Sequence, residues 1–124
     1  MAKRILLIED EKLLVENIVL FLQSEGYDVL TATNGADGLK MAQELQPDAI
    51  ICDILLPKMD GFAILETLRQ DKRFETTPFI ILSAKAEKSS IKAGLELGAD
   101  EYIIKPFSLD DLLKVLATHL ENSN

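Results

Sequence analysis

Four short apolar segments of this 124-residue chain run straight into polar side chains. Ile5-Leu6-Leu7-Ile8 leads to Glu9-Asp10, and Ala49-Ile50-Ile51-Cys52 leads to Asp53. Phe79-Ile80-Ile81-Leu82 leads to Ser83, and Tyr102-Ile103-Ile104 to Lys105. An acid at the tip of a buried segment is costly unless it is paired or bound to a cation. Three carboxylates brought close repel one another, so either one is protonated or a cation sits among them. Ligands that are all oxygen favour a hard ion, and Mg2+ typically takes one or two carboxylates while keeping several waters. With an ammonium opposite, such a site is a cradle for a phosphoryl group. Metal and lysine neutralise the equatorial oxygens while a carboxylate attacks in line.

For these tips to meet, the apolar runs must be neighbouring strands that end at one edge of a sheet. Runs this apolar suggest strands covered on both faces, as in a parallel sheet. A weaker, half-exposed strand is expected over Val29 to Thr33, after the turn signal Gly26-Tyr27. Helical patterns lie between the strands, at Lys12 to Ser24, Ala36 to Leu45, Phe62 to Gln70, Ser89 to Leu97 and Leu109 to Leu120. Ser108, followed by Asp110 and Asp111, is a good N-cap with acids in the first turn. Five strands alternating with five helices predict an α/β fold with helices on both faces of a parallel sheet. Ligands of such sheets bind at the carboxyl ends of the strands, where the polar tips fall. Glu121-Asn122-Ser123-Asn124 reads as a frayed tail.

The length fits one domain with a single core. With 48% hydrophobic and 27% charged residues, the composition is that of a folded globule. A net charge of −8 argues against non-specific nucleic-acid binding. The lone Cys52 excludes an intramolecular disulfide and a multi-cysteine zinc site. No signal-peptide run and no membrane-length apolar stretch is present, so a cytoplasmic location is expected.

The set Glu9-Asp10, Asp53, Ser83-Ala84 and Lys105-Pro106, with Pro57 and Asp60-Gly61 after the central acid, resembles the two-component response-regulator receiver family. Each motif is weak alone; in this order, over essentially the whole chain, they are specific. The resemblance implies a flavodoxin-like (βα)5 fold, a doubly wound five-stranded parallel sheet of order 2-1-3-4-5. It implies a single receiver domain over residues 1–124 with no output domain present. Asp53 would be the phosphoacceptor. Glu9, Asp10, Asp53 and the Leu55 backbone carbonyl would hold Mg2+. Lys105 would bind the phosphoryl oxygens, and the Ser83 hydroxyl would bond them once the group is in place. Tyr102 would turn inward on phosphorylation, and Lys105-Pro106 would be a cis peptide. The implied activity is a phosphorylation-controlled switch rather than an enzyme, catalysing only its own phosphotransfer and autodephosphorylation. The implied partners are a sensor histidine kinase or histidine phosphotransfer protein and a downstream output domain or protein. No direct nucleic-acid contact and no membrane are expected; a phosphorylation-dependent homodimer is among the forms allowed.

Other readings compete residue by residue. Asp53 alone would suit an acid capping the next helix, Ser83 a strand end, Lys105 a solvated surface, and Tyr102 half-buried packing with a wet hydroxyl. Cys52 reads as a small core residue, and His119 as a cation suited to a helix C-terminus. Among rival functions, a phosphohydrolase of the haloacid-dehalogenase type needs a second acid two residues after the nucleophile, where this chain has Leu55. A flavodoxin-like FMN carrier needs a Ser/Thr/Gly-rich loop after strand one, where this chain has Glu9-Asp10-Glu11. On the first helix, Leu14, Val15, Ile18, Phe21 and Leu22 form the expected core stripe. Leu13 and Leu20 fall opposite, beside Asn17 and Ser24, and Leu13 and Asn17 are expected to touch a phospho-histidine partner.

Overall fold

The computed structural model describes residues 2–121. Five strands, β1 (Arg4–Ile8), β2 (Asp28–Ala32), β3 (Ala49–Asp53), β4 (Phe79–Ser83) and β5 (Glu101–Ile104), form one parallel sheet of order β2-β1-β3-β4-β5. They alternate with helices α1 (Lys12–Ser24), α2 (Gly35–Leu45), α3 (Gly61–Arg69), α4 (Lys88–Glu96) and α5 (Leu109–Glu121).

The three central strands carry the most apolar runs because helices cover both of their faces. Their side chains alternate between two cores, as a period of two requires. Leu6, Ile8, Ile50, Cys52 and Ile81 pack with Ala42 of α2 and Ile64, Leu65 and Leu68 of α3. Ile5, Leu7, Ile51, Ile80 and Leu82 pack with Ile18 and Leu22 of α1 and Leu112 and Leu116 of α5. Each such fully buried Leu or Ile side chain contributes about 1.5–3 kcal/mol by area.

Some expectations shift. β2 begins at Asp28 and ends at Ala32, one residue earlier than its apolar pattern suggested. The apolar run Tyr102-Ile103-Ile104 resembles the three buried ones, yet β5 is an edge strand whose residues are only partly covered, and Ile104 is exposed. No sequence pattern signals the 3-10 turn at Lys72–Phe74; its N-cap Asp71 accepts from Arg73 N, and Phe74 is buried in the core. The Ser108 cap is present, with its hydroxyl accepting from Asp111 N at 3.3 Å. Of the expected frayed tail, Glu121 ends α5, and Asn122, Ser123 and Asn124 lie outside the described residues.

At the amino edge of the sheet, Arg69 gathers four segments. Its guanidinium donates to the carbonyls of Gly98, Phe74 and Thr77 and to Asp100, whose carboxylate also accepts from Phe79 N. The starts of β4 and β5 are thereby tied together, and the other edge is left for chemistry.

Candidate functional site

Strand register assembles the polar tips. Ile8 pairs with Cys52, Asp53 with Leu82, and Ser83 with Ile104, so Glu9, Asp53, Ser83 and Lys105 emerge side by side. Lys105 N donates to the Ser83 carbonyl at 2.9 Å, which extends the ladder by one rung. Glu9, Asp53 and Ser83 are buried and Asp10 is exposed. One carboxylate oxygen from each of Glu9, Asp10 and Asp53 lies within 4.8 Å of the others.

Lys105 is the counter-charge. Its Nζ donates to Glu9 Oε1 at 2.7 Å and to Asp53 Oδ2 at 2.9 Å, and Glu11 Oε2 stands at 4.0 Å. Of the two ways to relieve carboxylate repulsion, the chain itself provides a cation. Burial nonetheless raises the Glu9 carboxyl above the usual range, against the opposing bonds from Lys105 and Glu11 N, and the neighbouring Asp53 charge raises it further. For Lys105, burial works against the ammonium, but the bonds to Glu9 and Asp53 outweigh it and raise its pKa.

The expected residues converge, with some differences in detail. Asp53 is not a helix cap; α3 is capped by Asp60, which accepts from Ala63 N at 2.9 Å. Asp53 Oδ1 instead accepts from Leu55 N at 3.2 Å, so the loop after β3 orients the acid. The Ser83 hydroxyl accepts from Lys85 N at 3.1 Å. Tyr102 is half-buried, and its hydroxyl donates to the Lys85 carbonyl at 2.7 Å, tying β5 to the loop after β4. Lys105-Pro106 is cis. Cys52 is fully buried in the core, and burial, with the charges of Asp53, Glu9 and Asp60, pushes its thiol well up. His119 meets Glu101 at 3.4 Å. Among the described residues no buried side-chain nitrogen or oxygen lacks a partner.

Beside the acids opens a groove of about 500 Å³, lined among others by Glu11, Leu14, Asn17, Ala84, Lys105 and Phe107. Asn17 therefore shares a cleft with the lysine. Leu13 does not line it, but stands 65% exposed on the same helix, and Leu20 is 68% exposed. In the sequence Glu11 is only the last of an acidic triplet; its backbone N–H bonds the Glu9 carboxylate, a role that no side-chain pattern signals.

The donor set suits a hard divalent ion: among the described residues it consists of three carboxylates with no histidine or cysteine, and it has an exposed rim at Asp10 where waters can complete the shell. Next to it stand an ammonium and a buried hydroxyl, the two groups able to receive anionic oxygens. No helix among the described residues is long and apolar enough to cross a membrane.

Residues 5–117 match the family described as the response regulator receiver domain. The alkaline phosphatase synthesis transcriptional regulatory protein PhoP of Bacillus subtilis (strain 168) is 44% identical over 108 residues, covering 87% of this chain and 44% of that protein. The DNA-binding dual master transcriptional regulator RpaA of Synechocystis is 38% identical over 110 residues, covering 89% and 46%. The chain thus spans a little under half the length of these relatives. Among solved structures, the chemotaxis response regulator CheY4 of Vibrio cholerae superposes with a TM-score of 0.90 at 29% identity, covering 96% of this chain and 99% of that one. The receiver domain of sensor histidine kinase PA1611 from Pseudomonas aeruginosa PAO1, described with a magnesium ion coordinated in its active site cleft, superposes with a TM-score of 0.89 at 29% identity, covering 98% and 99%.

Proposed function

Because this chain belongs to the response regulator receiver domain family, we propose that Asp53 is the side chain that accepts the phosphoryl group, with Glu9, Asp10, Asp53 and the Leu55 carbonyl holding Mg2+. The observation that carries this reading is the convergence of three carboxylates, one ammonium and one hydroxyl at the ends of four adjacent strands. When bound, Mg2+ supplies positive charge to the carboxylates and to the equatorial phosphoryl oxygens. An Asp53 oxygen forms a bond to phosphorus as the bond from phosphorus to the donor's imidazole nitrogen breaks, and the released imidazole takes its proton from solvent. Lys105 then exchanges its bond to Asp53 for the incoming oxygens, and the Ser83 hydroxyl, now accepting from Lys85 N, turns to donate to them. Tyr102 reads that movement, because its hydroxyl is tied to the carbonyl of the same Lys85. The proposed readout is the face of α4, β5 and α5, where Leu95 and Ile104 are exposed. Phosphorylation there shifts a population between two packings.

The donor is a sensor histidine kinase or a histidine phosphotransfer protein, the output a downstream domain or protein, and the location cytoplasmic. Slow hydrolysis of the aspartyl phosphate by this domain itself ends the signal. The experiment is incubation with acetyl phosphate, with and without Mg2+, read by intact mass. A single Mg2+-dependent phosphate is expected. Continuous turnover without an adduct would favour a phosphohydrolase instead.

The phosphodonor should approach over α1, where Asn17 lines the groove and Leu13 stands out into solvent. Leu13→Glu is therefore expected to slow transfer from a phosphorylated kinase about tenfold or more, the scale of one lost interface anchor. Labelling by acetyl phosphate should be unchanged, because a small donor touches no helix. Equal slowing of both would refute the assignment.

A further inference from the structure

The loop between β3 and α3 carries the Leu55 amide that orients Asp53, and its path is set by a contact from outside the site. The start of α2 packs against it. Gly35 N donates to the Pro57 carbonyl at 3.0 Å, and Met59 N donates to the same carbonyl at 2.8 Å. A Cβ on Gly35 would overlap the Met59 carbonyl oxygen and lie 2.6 Å from the Met59 carbonyl carbon. What it would strike is backbone, which cannot swing aside as a side-chain end can. Between these two contacts Lys58 is held at φ 69, in the left-handed region that non-glycine residues rarely adopt. The loop is thus pinned in a shape it would not take alone. Asn34 caps the helix behind Gly35 by accepting from Asp37 N at 2.9 Å, which fixes where that N–H points.

We propose that Gly35 is a positioning residue for the phosphoacceptor loop: its bare Cα and its N–H hold residues 55–59 so that Asp53 and the Leu55 carbonyl are placed to take Mg2+. It touches neither the metal nor the phosphoryl group and acts through Pro57 and Met59. The proposal rests on the reading that Glu9, Asp10 and Asp53 bind Mg2+.

Coupling of this kind is reciprocal. If the contact supports the metal-binding shape of the loop, Mg2+ in turn stabilises the contact. In the wild-type chain, saturating Mg2+ should therefore slow amide hydrogen exchange at Gly35 several-fold, without a comparable change in the amides of α2 beyond its first turn. Gly35→Ala should weaken Mg2+ binding, measured by calorimetric titration, about tenfold or more, the usual cost of removing support behind a ligand. The control is Gly26→Ala in the turn before β2, where φ is 94 and a side chain is strained although nothing lies within 4 Å of it. Gly26→Ala should melt lower yet bind Mg2+ as wild type does. Equal Mg2+ affinity in Gly35→Ala and wild type would overturn the proposal, as would equal weakening in both variants. Should Gly35→Ala not fold, exchange at Gly35 in the wild type decides: no response to Mg2+ overturns it. A wild-type chain that binds no Mg2+ at all would instead bring down the metal reading beneath it.

Discussion

Asp53→Asn takes up no phosphoryl group: after acetyl phosphate and Mg2+ its mass is unchanged, where the wild-type chain gains one phosphate. An amide lacks the anionic oxygen needed to attack phosphorus and is a poor ligand for a hard cation. The substitution keeps shape, so the Leu55 N–H retains an oxygen acceptor and the β3–α3 loop keeps its path. The fold should also persist for an electrostatic reason. Asp53 is one of three carboxylates within 4.8 Å of one another, and removing one charge relieves repulsion that Lys105 only partly offsets. In EDTA the variant should melt no lower than wild type. In Mg2+ the order reverses, because wild type gains binding free energy by mass action and the variant gains little. A phosphate adduct on Asp53→Asn would place the acceptor elsewhere and sink the assignment.

Lys105→Ala is expected to keep Mg2+ binding, lose the switch and melt markedly lower without metal. Its ammonium is bonded at 2.7 and 2.9 Å to Glu9 and Asp53, whose side chains are 1% and 8% exposed. Deleting it leaves two buried carboxylates without a counter-charge, each holding only a backbone N–H bond, from Glu11 to Glu9 and from Leu55 to Asp53. The loss should be about 3 kcal/mol, the low end for an uncompensated buried charge because the adjacent groove admits water. For a domain of this size that lowers the melting temperature by about 10 °C. Mg2+ can take over the neutralisation, so the rise in melting temperature on adding Mg2+ should be larger in the variant than in wild type. Phosphorylated Lys105→Ala should leave the amide shifts of α4 and β5 unmoved.

The pH dependence follows from the two shifted groups. Lys105 has a raised pKa in the fold, so its stabilisation is fully present below the ordinary lysine range and is lost only as pH rises through that raised value. The gap between wild type and variant should therefore persist well into the alkaline range. On the acid side it narrows earlier. Glu9, which burial raises above its usual range, takes up a proton as pH falls through its folded value, and the charge that Lys105 neutralises disappears. A metal-free gap that is absent at neutral pH would show that Lys105 is not the counter-charge.

Much of this protein is legible locally. The runs Ile5 to Ile8, Ala49 to Cys52 and Phe79 to Leu82 announce strands because continuous burial leaves no room for alternation, and the helices show in the spacing of Ile18 with Leu22 and of Leu112 with Leu116. The chemistry is legible for the same reason: a charged residue at the end of a buried strand stands out against its apolar run, and the parallel topology sends every such end to one edge. Residue types, strand order and the family resemblance therefore point at Glu9, Asp10, Asp53, Ser83 and Lys105 without coordinates.

What the tertiary structure decided is who neutralises whom. Lys105 stands 96 residues from Glu9 and 52 from Asp53, and no pattern within one element shows that its ammonium bridges both. Nor does a helical pattern show that Tyr102 is already tied to Lys85, that β5 is an edge strand, or that Arg69 donates to Gly98, Phe74, Thr77 and Asp100 at the far edge. Gly35 shows the limit most clearly. In the sequence it is one glycine at the start of a helix; only the packing of α2 on the β3–α3 loop puts its Cα against the Met59 carbonyl and leaves no space for a Cβ. Local spacing sets which groups each strand delivers, whereas register and long-range packing set the distances between them, and electrostatic and steric energies depend on those distances.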